Sequence, residues 1–178
     1  MPRWGIVGTG DISDRVVADL LDISGEINGV WGRTAERADA FASRHGIPFA
    51  TSDRSALLGR DDIDAVYIAT PADTHTAITL EALDGGLHVL VEKPITTSAA
   101  NAEMLFARAA QADRFLMEAM WMRFNPLHVE LIQRITGGEL GAIRSVRASF
   151  GTPFFPRPGK ARPEDGGSIL RDLSLIHI

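Results

Sequence analysis

A chain that opens Trp4-Gly5-Ile6-Val7-Gly8-Thr9-Gly10-Asp11-Ile12-Ser13 has few folds open to it. A short apolar strand runs straight into Gly8-x-Gly10-x-x-Ser13, and an amphipathic helix begins at once. In that strand–turn–helix setting a glycine fingerprint signals dinucleotide binding. Gly8 permits the tight turn, and Gly10 lets the backbone approach a pyrophosphate with no side chain in the way. Ser13 stands where a third glycine or an alanine is usual, and it is small enough for close helix–strand packing. The backbone from Gly8 through Thr9, Gly10, Asp11 and Ile12 is expected to cradle phosphates with unpaired N–H groups at the positive end of the helix dipole. The alternative is a bare tight turn; its place on the first strand of an α/β pattern favours the nucleotide.

That pattern runs on down the chain. Ile12, Val16, Val17, Leu20 and Leu21 recur at helical spacing to about Ser24, and Gly25 ends the helix. A strand is expected over Ile27–Gly32, then a helix capped by Thr34 with Ala38, Phe41 and Ala42 inside. Ile47–Phe49 reads as a short extended piece, followed by a short helix capped by Ser52 or Asp53. Asp64–Ala69 reads as a strand buried on both faces. A helix from Thr74 to Asp84, a strand at His88–Val91, a helix around Leu105 and a strand at Phe115–Glu118 follow. Asn125-Pro126 then supplies a cap and a first-turn proline for a helix bearing Leu127, Leu131, Ile132 and Ile135. Strands alternating with helices predict an α/β fold, a doubly wound parallel sheet of the Rossmann type.

After Ala142 the character changes. Ile143–Phe150 alternates apolar and polar residues, as an antiparallel strand with one wet face does, and a Pro- and Gly-rich stretch follows it. The expected division is a dinucleotide-binding domain over 1–122 and the incomplete start of an α+β second domain over 123–172. Residues 173–178 are expected to be a non-native tail.

Composition narrows the partners. A net charge of −5 without a basic cluster argues against nucleic acid, and the absence of cysteine excludes a disulfide framework and thiolate chemistry. The five histidines show no close ligand pairing, so no metal is expected. No apolar run approaches the roughly 20 residues that span a bilayer. The first strand starts too early to leave room for a signal peptide. The expectation is a cytoplasmic protein acting on a small molecule, with no membrane partner.

The second strand ends Val30-Trp31-Gly32-Arg33-Thr34, without the carboxylate that usually binds the ribose hydroxyls of NAD. Arg33 is placed to meet a 2′-phosphate and to stack on adenine, and Arg37 lies one helical turn further on. NADP is therefore the expected cofactor, with NAD the alternative and a solvated surface arginine the plain reading.

Further motifs fall at the ends of the later strands: Ala69-Thr70-Pro71 with His75, Glu92-Lys93-Pro94, and Phe115 to Trp121 with Arg123-Phe124. With these, the chain resembles the Gfo/Idh/MocA family of oxidoreductases, and within it the branch of dimeric dihydrodiol and NADP-dependent xylose dehydrogenases. The resemblance spans about residues 3 to 172. It implies hydride transfer between a nicotinamide and a sugar-like or diol carbinol, with Lys93 binding and polarising the reacting oxygen. Pro94 keeps Lys93 out of the α region and fixes an abrupt exit from the strand. From the residues alone, a lysine paired with Glu92 at a strand end is an equal reading. The resemblance also implies that Thr70, Pro71, His75, Glu92, Trp121 and Arg123 line the cofactor, and that the full-length protein is a homo-oligomer. A histidine such as His75 otherwise reads as satisfied at a helix start, and Trp121 as core.

In the family a Gly-Gly-Gly-x-Leu-x-Asp-x-Gly-x-Tyr (or His) segment follows. Gly166-Gly167-Ser168-Ile169-Leu170-Arg171-Asp172 matches it, which implies a catalytic role for Asp172. The chain then departs: Ser174 replaces the glycine, Ile176 stands where the proton donor belongs, and His177 lies one residue off that face. Leu173–Ile178 reads as a translated sequencing-library adapter, so an incomplete gene is expected. The chain as written is then expected to bind NADP weakly at best and to turn over no sugar. A non-catalytic NAD(P)-binding module of the same fold is the alternative.

Overall fold

The computed structural model describes residues 1–23 and 25–147. The chain divides into two units, Met1–Glu118 and Ala119–Ile178.

In the first unit, strands β1 (Arg3–Val7), β2 (Glu26–Trp31), β3 (Ala50–Thr51), β4 (Ala65–Ile68), β5 (His88–Val91) and β6 (Leu116–Glu118) alternate with helices. These are α1 (Asp11–Asp22), α2 (Ala35–His45), α3 (Arg54–Leu58), α4 (His75–Asp84) and α5 (Ala99–Ala112). All the strands pair in parallel in the order β3-β2-β1-β4-β5-β6. The expected doubly wound sheet is therefore present, and strand order reverses between β1 and β4, where open α/β sheets leave a crevice for ligands.

The elements form for reasons visible in the residues around them. Thr34 caps α2 by accepting the Arg37 N–H, and Asp53 caps α3 by accepting from Ser55 and Ala56. All four residues of β4 are buried, as a central parallel strand requires. Val66, Ile68, Val89 and Val91 pack against Leu57 and Leu58 of α3, Ile78 and Leu83 of α4 and Leu105 of α5. In α1 the buried stripe is Ser13, Val17 and Leu20, so Val17 and Leu20 of the expected face are buried while Ile12 and Leu21 at its margins are exposed. Ser24, the expected end of that helix, lies outside the described residues.

At the N-terminal ends of the strands, Arg3 forks onto Asp64, with Nη2 2.7 Å from Oδ1 and Nε 3.0 Å from Oδ2. These hydrogen bonds from Arg3 hold the Asp64 carboxyl well below the usual carboxylate range. A cavity of about 120 Å³ lined by Trp4, His88, Leu90, Phe115 and Met117 lies toward this end too. The opposite ends of the strands carry the glycine-rich turn, Thr70-Pro71 and Glu92-Lys93-Pro94.

In the second unit a 3₁₀ turn over Trp121–Phe124 leads to α6 (Pro126–Thr136). Asn125 caps α6 by accepting the Leu127 N–H, with Pro126 in the first turn. Ile143–Arg147 forms no strand, contrary to expectation. A strand needs a neighbour to complete its ladder, and no described residue pairs with this one. Residues 148–150 of that expected strand, and everything from Gly151 to Ile178, lie outside the described residues.

Candidate functional site

At the end of β1 the backbone of Gly8 has φ +117°, and a Cβ built there would sit 2.4 Å from the Ala69 carbonyl oxygen. Its N–H donates to the Trp31 carbonyl at 3.0 Å. The turn therefore threads between the ends of β2 and β4, and only glycine fits. Gly10 is different. A Cβ there would meet nothing within 4 Å, so open space faces it. Gly10 is the N-cap of α1 and gives it no side-chain capping bond. The first N–H groups of α1 thus lack a side-chain acceptor and face that space, which is the arrangement that binds an anion. Thr9 is half-buried, and Asp11 and Ile12 are exposed on the same rim.

Arg33 and Arg37 are both exposed, at the end of β2 and in the first turn of α2. Among the described residues neither guanidinium has a hydrogen bond or ion pair with the protein. Trp31 beside them is oriented by its indole N–H, which donates to the Ser52 carbonyl at 2.9 Å. No carboxylate closes β2 itself.

After β4, the Thr74 hydroxyl bonds to the Thr70 hydroxyl and to the Pro71 carbonyl, both at 2.7 Å, and Pro71 is exposed. His75 opens α4 and is 1% exposed. Its Nε2 lies 2.9 Å from the Thr70 carbonyl oxygen and its Nδ1 2.8 Å from that of Pro94. Both ring nitrogens are thus engaged by the backbone and neither is open to a ligand.

After β5 comes the turn Glu92-Lys93-Pro94, with a cis peptide between Lys93 and Pro94. Glu92 Oε1 accepts the Tyr67 hydroxyl at 2.8 Å, and Oε2 accepts the Lys93 N–H at 3.2 Å. Burial, then the Glu92 charge and the hydrogen bond to it, push the Tyr67 hydroxyl above the usual phenol range, so it remains the donor. Glu118, ending β6, accepts the Ile95 N–H at 2.8 Å. Lys93 is half-buried on a turn braced from β4, α4 and β6.

Sequence reasoning missed Tyr67 and Glu118 as parts of this arrangement. A buried tyrosine needs a partner for its hydroxyl, which was the available signal. Removing that hydroxyl in Tyr67→Phe is expected to lower stability by about 1–3 kcal/mol in urea unfolding, because a hydrogen bond to a charged group is lost. Equal stability of the two proteins would show the bond to be dispensable. Trp121 and Arg123 sit in the second unit, exposed on its 3₁₀ turn. Asp172 lies outside the described residues. Among those described, no group of His, Asp or Glu could hold a metal ion, and no helix is long and apolar enough to cross a membrane.

A six-stranded parallel sheet in this order, with an uncapped glycine-rich helix start at its reversal point, defines a dinucleotide-binding Rossmann domain. The chain belongs to the Gfo/Idh/MocA family, described as an oxidoreductase family with an NAD-binding Rossmann fold, whose model matches residues 2–120. It is 36% identical over 174 residues to a trans-1,2-dihydrobenzene-1,2-diol dehydrogenase of Xenopus laevis, covering 96% of this chain and 53% of that protein. It is 40% identical over 148 residues to a D-xylose 1-dehydrogenase (NADP(+)) of Haloferax volcanii, covering 83% of this chain and 45% of the relative. Among solved structures it is similar to a 3-ketoreductase from Actinomadura kijaniata in complex with NADP and TDP-benzene. There the TM-score is 0.71 at 36% identity, over 77% of this chain and 42% of the other. The chain spans about half the length of the curated relatives it matches.

Proposed function

We propose that this polypeptide is the nucleotide-binding part of an NADP-dependent oxidoreductase acting on the CH–OH group of a sugar or diol. The observation that carries the reading is a lysine on a braced turn at the same sheet edge as an uncapped, open glycine-rich helix start. The nicotinamide nucleotide, when bound, supplies or accepts the hydride. The first N–H groups of α1 hold its phosphates, with Thr9, Asp11, Ile12, Thr70 and Pro71 on the rim. Arg33 and Arg37 hold the 2′-phosphate, a task suited to an exposed guanidinium with no partner among the described residues. The Lys93 ammonium donates to the reacting oxygen and stabilises the charge that develops there. In the same reading Trp121 and Arg123 serve the cofactor and Asp172 is catalytic. The domain boundary is placed at about residue 122, with a second domain beginning there. The same reading makes the full-length protein a homo-oligomer and places it in the cytoplasm, where the absence of cysteine from this chain is no handicap.

The test is tryptophan fluorescence on titration with NADPH and NADH, since Trp31 lies beside the proposed adenosine site. NADPH is expected to quench at lower concentration than NADH. In Arg33→Ala the NADPH affinity is expected to fall about 10–100-fold, or about 1.4–2.8 kcal/mol, with NADH little changed. A chain that neither nucleotide quenches would end the proposal.

A further inference from the structure

Arg33 leaves the sheet where its support is thinnest. β3, the outer neighbour of β2, is the shortest of the described strands, and its ladder ends where the Gly32 N–H donates to the Thr51 carbonyl at 3.0 Å. Side chains take over at that point. The Trp31 indole N–H donates to the Ser52 carbonyl at 2.9 Å, one residue past Thr51. The Arg54 guanidinium lies over the indole ring, 5.7 Å from its centroid. Arg54 Nε in turn donates to Glu81 Oε2 at 2.6 Å, so the charge is matched. Glu81 belongs to α4, whose Ile78, Ala82 and Leu83 are packed into the core over β4 and β5. The contacts thus run from a helix over the middle of the sheet, through α3, to the last residue of β2. A cation over an aromatic face is a weak contact alone, but here the cation and the ring are each held by a second bond.

We infer that Glu81, Arg54 and Trp31 form a brace that fixes the place of Arg33, two residues beyond the indole, and are positioning residues for it. The inference rests on the proposed 2′-phosphate role of Arg33. That side chain is exposed and has no partner among the described residues, so only the backbone beneath it orders it before a ligand arrives. Backbone left loose there would have to be ordered on binding, at a cost in affinity. The inner side of Trp31 is different. It pairs with Val7, and its carbonyl accepts the Gly8 N–H at 3.0 Å. The glycine turn is therefore held by the ladder and does not need the brace. Loss of the brace falls on the 2′-phosphate alone, so these three residues select NADP without touching it.

Glu81→Gln and Arg54→Gln both break the brace and change the charge in opposite directions, which separates position from charge. Were Arg54 to act on a phosphate by charge alone, the first variant would tighten NADPH and the second weaken it. As a brace, both are expected to weaken NADPH about 3–10-fold in calorimetric titration and to change NADH by less than about twofold. Opposite signs, or equal losses for the two nucleotides, overturn the inference. A nucleotide-free measurement on the ¹⁵N-labelled 178-residue chain stands beside it. The chain has three tryptophans, and Trp31→Phe identifies the Trp31 indole signal. In both folded glutamine variants that indole N–H is expected to exchange faster and the Gly32 and Arg33 amide signals to move, while that of Gly10 stays. An unmoved Arg33 amide overturns the brace. Amides that move in a chain binding neither nucleotide keep the brace and remove the NADP reading, whereas NADPH preference with unmoved amides removes the brace alone.

Discussion

Alanine at position 8 is expected to lower the unfolding free energy by about 2–6 kcal/mol and with it to abolish NADPH binding. Alanine at position 10 is expected to leave stability unchanged and to weaken NADPH binding about tenfold or more. The two substitutions add the same methyl group two residues apart. At Gly8 the methyl meets the Ala69 carbonyl oxygen at 2.4 Å with φ at +117°, so backbone strain and a backbone clash act together. The end of β4 must move, and it is the middle of the sheet. At Gly10 the backbone has φ −93° and ψ 175°, an extended conformation that alanine adopts freely, and the methyl meets no protein atom. What it obstructs is the space in front of the uncapped helix start, where the phosphates are placed. Urea unfolding of both variants, with NADPH titration of each, separates the effects. Undiminished NADPH affinity in Gly10→Ala would remove the phosphates from this turn.

Lys93→Met carries the largest expected effect on turnover. Methionine keeps the length and apolar stem of lysine and loses only the ammonium. In the polypeptide that shows turnover, whether this chain or a longer one containing it, kcat is expected to fall about 10²–10⁴-fold. NADPH affinity is expected to hold, because the pyrophosphate and 2′-phosphate contacts lie on β1, α1 and β2. The turn itself is expected to keep its place, since Glu92, His75 and Glu118 pin it through backbone groups. Steady-state kinetics with a sugar or diol substrate, beside a fluorescence titration, read both quantities. A variant with unchanged kcat would take the chemistry away from position 93.

Much of this was legible before any coordinates. The alternation of short apolar runs with capped amphipathic segments placed strands and helices close to where they form. Capping is local chemistry, so Thr34, Asp53 and Asn125 announced their helices from the residues beside them. The face of α1 was harder. Ile12 and Leu21 fit the apolar period yet are exposed, while the small Ser13 is buried, because the close approach to the sheet selects size over hydrophobicity. The alternation over Ile143–Arg147 misled for a related reason, since a strand exists only with a neighbour to pair with.

Residues 4–13 determined by themselves that a strand, a glycine turn and a helix would follow one another, because glycine geometry and helix ends are properties of a few adjacent residues. Arg33 and the missing carboxylate could likewise be read directly, being one position on one strand. Only the tertiary structure decided what surrounds Lys93. Tyr67, His75 and Glu118 come from β4, α4 and β6, lie 18 to 26 residues from Lys93 in the chain, and converge only because parallel strands bring their ends to one edge. Hydrogen bonds between such distant groups follow from topology and register, which no local pattern of residues encodes.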